Sequence, residues 1–568
     1  MKRNKILRYT LLLVFAIGGS SILTGCTDDF EDMNTNKVQV DPDDLPFSSQ
    51  FMTPMTYCYP PQQNRFQFWT NLSIDYYGGY FMTPNGNFTN GDYGENRGHS
   101  GGMGEVYYLY ILNNTSRLIK SCEQQGYNGL AGVMRIVQAY GTQMMTDTYG
   151  PIAYSSVINQ TPSTSTFPYD KQEDIYNSMF TDIDKAIADI KATTSTEELG
   201  ILKAADYWCG GNKDLWLKVA NTLKLRLAMR IVKVKPQIAE TKAVEAVTDG
   251  VLTSADGDIT INKNLENELW LMFDWGDCRF NASLVTMMTG FKDPRLPLYM
   301  TKNINAVMKL DAKPDPDTGK YQKSDTLVEK GTKYLGIRIG SGLPPKPNPW
   351  SNFSGWLPAS SYTMPLPIMK VAEAYFLRAE GALRGWNMGG TAGDLYNEGI
   401  KVSLNNELKY RGSYAGITAY PPSAVTDYIN GTTGQDNYVD PVDDNLSINA
   451  LNTLGVKWDE GASNEEKLQR IITQKWLALF PLSNEAWAEY RRTGYPKLFP
   501  VKFNESNGAV NTDKQIRRSI YGGNEYNTNE AELLKGIELL NQENSDSEFS
   551  GDKGGTRVWW DRADKGNF

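Results

Sequence analysis

Gly98-His99-Ser100-Gly101-Gly102 satisfies the G-x-S-x-G spacing of a nucleophile elbow. That chemistry needs a strand before the serine, a helix after it and a separate downstream histidine to take its proton. Asn85 to Arg97 is a Gly/Asn loop, and His99 is the chain's single histidine, so no other imidazole can act as base. The segment reads as a flexible loop, and a serine hydrolase is not expected. The same count removes H-E-x-x-H metalloproteases and His-rich metal sites. Asp315 and Asp317 near Gly319 lack EF-hand spacing and its closing Glu, and read as a hairpin turn. Asp440, Asp443 and Asp444 read as an acidic solvated loop, with calcium ligation the other reading. Gly336 to Gly342 lacks the Gly-Lys-Ser/Thr ending of a phosphate loop. Carboxylates are plentiful enough for a glycosidase acid–base pair, yet no spacing singles one out. The expectation is a non-enzyme without a cofactor; structural calcium rests on nothing beyond those carboxylates.

Binding is better served by the composition. The chain has 13 Trp and 32 Tyr, and many fall in polar, Gly- and Pro-rich stretches. Core packing accounts for part of that wealth; a stacking surface would use the rest. A net charge of -9 argues against nucleic acid, which demands clustered Lys and Arg.

The elements that must position these residues are mainly helical. Val106, Leu109, Leu112, Thr115, Leu118 and Ile119 fall on one helix face, and Leu130, Val133, Val137, Tyr140 and Met144 on the next. Ile175 to Ile190 marks a third. Leu215, Val219, Leu223 and Leu227 mark a fourth, with Lys218, Lys224, Arg226 and Arg230 expected largely on its wet side. Pro367 to Arg384 and Gly393 to Leu408 form a helix pair, and Leu468 to Leu479 another helix. The predicted fold class is mostly α: a tetratricopeptide-like helical superhelix with long irregular loops and a few short strands. The loop-rich parts are 250–365, 411–462 and 500–568, where binding is expected. Trp216 and Trp476 lie within helices and are expected in the core.

The N-terminus predicts export. Lys2, Arg3, Lys5 and Arg8 precede an apolar stretch from Leu11 to Leu23, too short for a comfortable membrane span. Leu23-Thr24-Gly25-Cys26 closes it like a bacterial lipobox, so residues 1–25 are expected to be a signal peptide and Cys26 to carry lipid. Thr27-Asp28-Asp29-Phe30-Glu31-Asp32 resembles an acidic surface-export signal. Residues 26–50 read as the lipidated cysteine and its tether, and 51–568 as the body. Acyl chains contribute about 0.8 kcal/mol per buried CH₂, enough for several chains on one cysteine to hold a soluble body. Cys58, Cys122, Cys209 and Cys278 are expected as buried free thiols or at most one bridge.

Several segments, in order, resemble the SusD/RagB family of nutrient-binding outer-membrane lipoproteins, particularly its second SusD-like branch. They are Asp147-Thr148-Tyr149-Gly150-Pro151-Ile152-Ala153-Tyr154, Tyr169-Asp170-Lys171-Gln172-Glu173-Asp174-Ile175-Tyr176, and Gly210-Gly211-Asn212-Lys213-Asp214-Leu215-Trp216 running into Leu223-Lys224-Leu225-Arg226. Ala372-Glu373-Ala374-Tyr375-Phe376-Leu377-Arg378-Ala379-Glu380, Gln474-Lys475-Trp476-Leu477-Ala478-Leu479-Phe480, Arg517-Arg518 and Trp559-Trp560-Asp561 follow. The resemblance implies a non-enzymatic protein, outside the cell on a lipid anchor. It would capture oligosaccharides, or peptides in the RagB branch, and hand them to a SusC-like TonB-dependent transporter.

Sugars have polar edges and apolar C–H faces, so flat rings beside Asn, Asp and Arg make a capture site. Three groups are nominated. Trp69, Asp75, Tyr77, Tyr80, Phe81 and Asn85 surround Gly78-Gly79, roughly where the family places part of its site. Trp275 and Arg279 flank Asp274-Trp275-Gly276-Asp277. Asn348, Trp350, Asn352 and Trp356 form the third, whose two indoles among Pro, Ser, Asn and Gly are expected to be hard to bury. Core packing is the competing reading for the first group's rings, and a capped turn for the second. A peptide ligand, a lipid-anchored glycoside hydrolase and a pure protein-contact scaffold are the alternatives.

Overall fold

The computed structural model describes residues 45–59, 63–161, 163–261, 265–313, 315–318 and 323–568. Cys26, the leader and the acidic run lie outside them. The chain divides into units 1–50 and 51–568, and the described part of the first includes the short helix Phe47–Gln50. Among the described residues no helix is long and apolar enough to cross a membrane.

The second unit is a tetratricopeptide-like assembly of antiparallel helix pairs. Its principal helices are α1 (Asn113–Gln124), α2 (Asn128–Tyr149), α3 (Gln172–Ala192), α4 (Lys213–Arg230) and α5 (Pro236–Asp249). After the loop-rich middle come α6 (Val371–Leu383), α7 (Ala392–Ala415), α8 (Asn464–Leu479) and α9 (Ser483–Thr493). Successive helices pack on one another, and α6 also packs on α4 and α8. Capping marks the starts: Asn212 accepts from Leu215 N–H ahead of α4, and Ser463 and Glu466 form a reciprocal capping box ahead of α8. Pro367 sits in a strand, so the helix expected from that residue begins at Val371. The third loop-rich stretch contains a full helix, Glu530–Glu543.

Two helix faces differ from the periodic reading, for separate reasons. Tyr107–Leu112, leading into α1, is π-helical. The extra residue per turn rotates the register, so Ile111 and Leu112 both point inward and Leu109 is left 54% exposed. In α4 the charges expected in water are inside: Lys224, Arg226 and Arg230 are buried, and only Lys218 stays partly exposed, paired with Asp256. Because α4 is covered on several sides, its cationic face needs partners, and other helices supply them. Arg226 makes a two-point pair with Glu373 of α6 (2.8 and 2.6 Å). Arg230 reaches Glu485 (2.5 Å) and Glu489 (2.6 Å) of α9 and Asp147 of α2 (3.3 Å). Lys475 of α8 lies 3.4–3.5 Å from Glu373, Glu485 and Glu489. Burial alone would raise the Glu489 carboxyl, but Arg492, Lys475 and Arg230 hold it well below the usual range. This network ties α2, α4, α6, α8 and α9 into one frame.

Trp216 and Trp476 are fully buried, and Cys58, Cys122, Cys209 and Cys278 are buried free thiols. Among the described residues the strands form three antiparallel pairs: β1 (Phe81–Met82) with β3 (Arg279–Phe280), β2 (Ile259–Ile261) with β6 (Leu366–Met369), and β4 (Val307–Met308) with β5 (Thr326–Val328).

Candidate functional site

The first of these pairs assembles the site. Register Phe81↔Phe280 and Met82↔Arg279 sets residues 83–88 beside 274–278. A third segment, 343–352, closes on both. Gly86 N–H donates to Pro344 O (3.2 Å), and a Cβ on Gly86 would fall 1.7 Å from Leu343 O, so this approach requires glycine. Asn348 Nδ2 donates to Pro84 O (2.7 Å) and Pro344 O (2.8 Å). Arg279 donates from Nε and Nη2 to Ser351 O (3.0 and 2.6 Å). The three nominated stretches therefore meet in one loop platform.

Their side chains do not all face outward. Trp275, following the helix Glu268–Asp274, is 36% exposed; Asn348 and Asn352 are half-buried, and the other nominated residues are buried. The expectation of open indoles at Trp350 and Trp356 is corrected. In the 3₁₀ turn Pro349–Asn352, Pro349 and Trp350 point inward while Ser351 and Asn352 take the wetter side. Trp350 Nε1 donates to Asp440 Oδ2 (2.9 Å), which satisfies the indole's one polar group. Trp356 packs with Phe273 and Phe280, and the Arg411 guanidinium lies 5.3 Å from its ring centre. Its stacking face is already occupied.

The first group is likewise interior. Trp69 is 2% exposed. Tyr77 packs on Trp487, and Tyr80 donates its hydroxyl to Trp476 O. Phe81 sits among Phe273, Phe280 and Phe480. Asp75 accepts from Ser483 and Asn71, and burial pushes its carboxyl up to about 7. Asn85 Nδ2 donates to Asp277 Oδ1 (3.4 Å), Asn352 Nδ2 to Ala306 O (3.1 Å). Arg279 is spent on backbone carbonyls, and burial lowers its pKa.

Residues not nominated complete the platform. Lys346 Nζ donates to Trp275 O (2.8 Å) and Asp277 Oδ1 (2.5 Å), and Gln67 Nε2 donates to Asp277 Oδ2 (3.3 Å). Asn87 is exposed and Phe88 half-buried. The Pro344-Pro345-Lys346-Pro347 run was the available signal for Lys346, since a lysine held between prolines has little freedom. Phe88 meets His99 edge-on at 6.2 Å, and His99 stacks on Phe68 at 5.0 Å.

The rejected motifs have other work. Gly98 to Ser100 belongs to a short helical turn, Arg97–Ser100, capped by Asn96, where a flexible loop was expected. His99 Nδ1 lies 3.0 Å from Asn90 Oδ1, turned to that carboxamide. Asp440 accepts from Trp350, Tyr438 and the N–H groups of Val442 and Asp443. Asp315 accepts from Asp317 and Thr318 as a turn residue. Among the described residues no cluster of His, Cys, Asp and Glu is arranged to hold a metal.

A rigid helical-repeat frame that carries a loop platform with one open indole defines a binding scaffold of tetratricopeptide type. A family model for SusD and RagB outer membrane lipoproteins matches residues 31–561, and the chain belongs to this SusD-like family. Its location is accordingly the outer membrane, on a lipid anchor. A chitin-binding SusD homologue from Flavobacterium johnsoniae is 33% identical, with 92% of this chain and 100% of that one covered and a TM-score of 0.77. A SusD-like protein from Bacteroides thetaiotaomicron is 30% identical over 92% and 100% of the two chains, TM-score 0.75. A SusD homologue from Bacteroides ovatus is 31% identical over 91% and 99%, TM-score 0.74. No curated protein matches the chain.

Proposed function

We propose that this protein captures oligosaccharides at the Trp275 platform and passes them, uncleaved, to a SusC-like TonB-dependent transporter. The observation that carries the reading is the single open indole, set among three converging loops, in a chain of this family. A sugar ring laid on Trp275 removes its C–H face from water, while exposed Asn87 and the partly exposed Lys346 ammonium offer hydrogen-bonding groups to hydroxyl edges. One stacked ring is worth about 0.5–1.5 kcal/mol beyond area burial, by analogy with aromatic pairs. Capture of that strength is reversible, which handover requires. The platform's carboxylate Asp277 is tied to Lys346 and two carboxamides, an arrangement suited to holding shape and not to proton transfer.

Oligomers of N-acetylglucosamine are the first ligands to test, because the 33%-identical homologue binds chitin. Titration calorimetry of the intact protein with the hexamer should show binding that Trp275→Ala weakens about tenfold. Chromatography of the incubated hexamer should show no shorter product; cleavage would overturn the non-enzymatic reading. Absence of binding to this hexamer and to a glycan array would overturn capture of sugars.

A further inference from the structure

Two buried polar atoms go unanswered where the turn Arg97–Ser100 meets the C-terminal stretch 516–520. Arg518 is fully enclosed, yet its Nη2 has no hydrogen-bond partner among the described residues, and the buried Ser100 Oγ has none either. Both residues line one cavity of about 30 Å³. We propose that this cavity is a binding site for a single halide ion, chloride above all, held between the Arg518 guanidinium and the Ser100 hydroxyl.

The remaining donors of Arg518 are spent. Its Nε donates to Tyr149 O (3.0 Å) and its Nη1 to Asp552 Oδ1 (2.7 Å). Asp552 cannot serve Nη2 as well, because each of its oxygens already accepts twice. Oδ1 takes Tyr521 N–H besides (3.0 Å), and Oδ2 takes Arg97 (2.6 Å) and the Tyr526 hydroxyl (2.9 Å). Charge is as short as hydrogen bonding. Burial alone would raise the Asp552 carboxyl, but Arg518 and Arg97 hold it below its ordinary range, so it stays ionised. A single carboxylate thus faces two guanidiniums, neither of which can give up its proton. Glu95, also at the cavity, is exposed, and water screens its charge. A positive charge is left over beside the cavity.

Size and lining narrow the occupant. One water molecule takes up about 30 Å³ in the liquid, so the cavity has room for one particle of that order. Sulfate, phosphate, a carboxylate or a sugar is too large. Val510, Ile516 and Ile520 give the cavity an apolar side, where an unmatched guanidinium costs more than it would in water. A water would accept the free N–H and leave the charge standing. A halide answers both, and the serine hydroxyl can rotate to donate to it. The ion would fasten the C-terminal stretch to the turn that carries His99, against which Phe68 and the platform's Phe88 pack.

Bromide is the probe, since it replaces chloride and scatters anomalously. Crystals of the intact protein grown in sodium bromide should show an anomalous peak between Ser100 Oγ and Arg518 Nη2. Ser100→Asp should show none, because its carboxylate takes the ion's place. In solution, the wild type should melt about 1–2 °C higher in roughly 0.2 M chloride or bromide than in gluconate of equal ionic strength. That figure is what remains after the same difference in Ser100→Asp, the general salt effect, has been subtracted. Should Ser100→Asp not fold, Ser100→Ala keeps the cavity and removes one donor, and the halide concentration for half the shift should rise several-fold. Water density without an anomalous signal overturns the proposal. A crystal peak with no halide-dependent shift in solution would be an adventitious ion only and overturns it equally. So does a shift of the same size in Ser100→Asp, or an unchanged half-shift concentration in Ser100→Ala.

Discussion

The helical frame and the loop platform use charge and aromatic rings in opposite ways. In the frame, Arg226, Arg230, Lys475 and Arg492 are fully enclosed and paired with Glu373, Glu485, Glu489 and Glu380 across four helices. In the platform, the Lys346–Asp277 pair lies near the surface, and one indole is left in water. Buried ion pairs give little net stability over apolar packing, yet breaking one leaves a charge stranded. The frame is therefore brittle to single changes, and the platform, whose open groups hold up nothing, is free to vary its ligand contacts.

The sharpest way to break that contrast is to remove one buried carboxylate. Glu485→Ala leaves Arg230 with Glu489 and Asp147 alone and also weakens the pairing of Arg226 and Lys475. The buried network is then short of one negative charge, which should cost about 3 kcal/mol in urea unfolding. Trp356→Ala should cost a similar 3–5 kcal/mol, because it empties the space among Phe273, Phe280 and Arg411. Neither variant, where folded, should change hexamer affinity by more than about twofold. If Trp356→Ala kept full stability and lost binding, the division between frame and platform would be wrong.

A smaller effect is pH-dependent. Asp75 is buried between the frame residue Ser483 and Asn71, and its carboxyl titrates at about 7 in the fold against an ordinary value of 3.8. With the folded value raised, the native state binds more protons than the unfolded state between those limits. Stability from this group is full below about pH 4 and is lost as pH rises towards 7, with a slope of up to about 1.4 kcal/mol per pH unit. Urea unfolding of the wild type and Asp75→Asn across pH 4 to 8 should show the wild type falling relative to the variant up to about pH 7, then running parallel. Parallel curves throughout would mean that Asp75 is not neutral in the fold.

What the sequence made legible follows from which interactions are local. Helix positions, the tetratricopeptide-like pairing and the core places of Trp216 and Trp476 came from periodicity, which neighbours along the chain determine. Lys224, Arg226 and Arg230 misled because a charged stripe reads as wet unless its partners are known, and those partners sit on other helices. They are Asp184 of α3, 40 residues back, for Lys224, and residues from about 80 to 260 away on α2, α6 and α9 for Arg226 and Arg230. Leu109 misled because a π turn breaks the 3.6-residue count without a sequence mark. The site was legible as stretches and not as side chains. All three nominated segments converge, but Trp350 and Trp356 turn inward because Asp440 and Arg411, remote in sequence, meet them there. Trp275 alone among the nominated rings stayed open.

The mildest test sharpens the platform's side of the contrast. Lys346 joins the Trp275 carbonyl to Asp277, and its side chain is 33% exposed, so solvent screens much of the 2.5 Å ion pair. Lys346→Met keeps the aliphatic stem and removes the charge. Its unfolding free energy should fall by no more than about 1 kcal/mol, since the pair is open to solvent on the lysine side and Gln67 and Asn85 still hold the buried Asp277 carboxylate. Hexamer affinity should fall about two- to fivefold, because the indole loses the donor that fixes its backbone and the sugar loses a hydrogen-bonding edge. Unchanged affinity together with a large stability loss would place Lys346 in the frame, and the boundary between the two regions would have to be redrawn through residues 344–348.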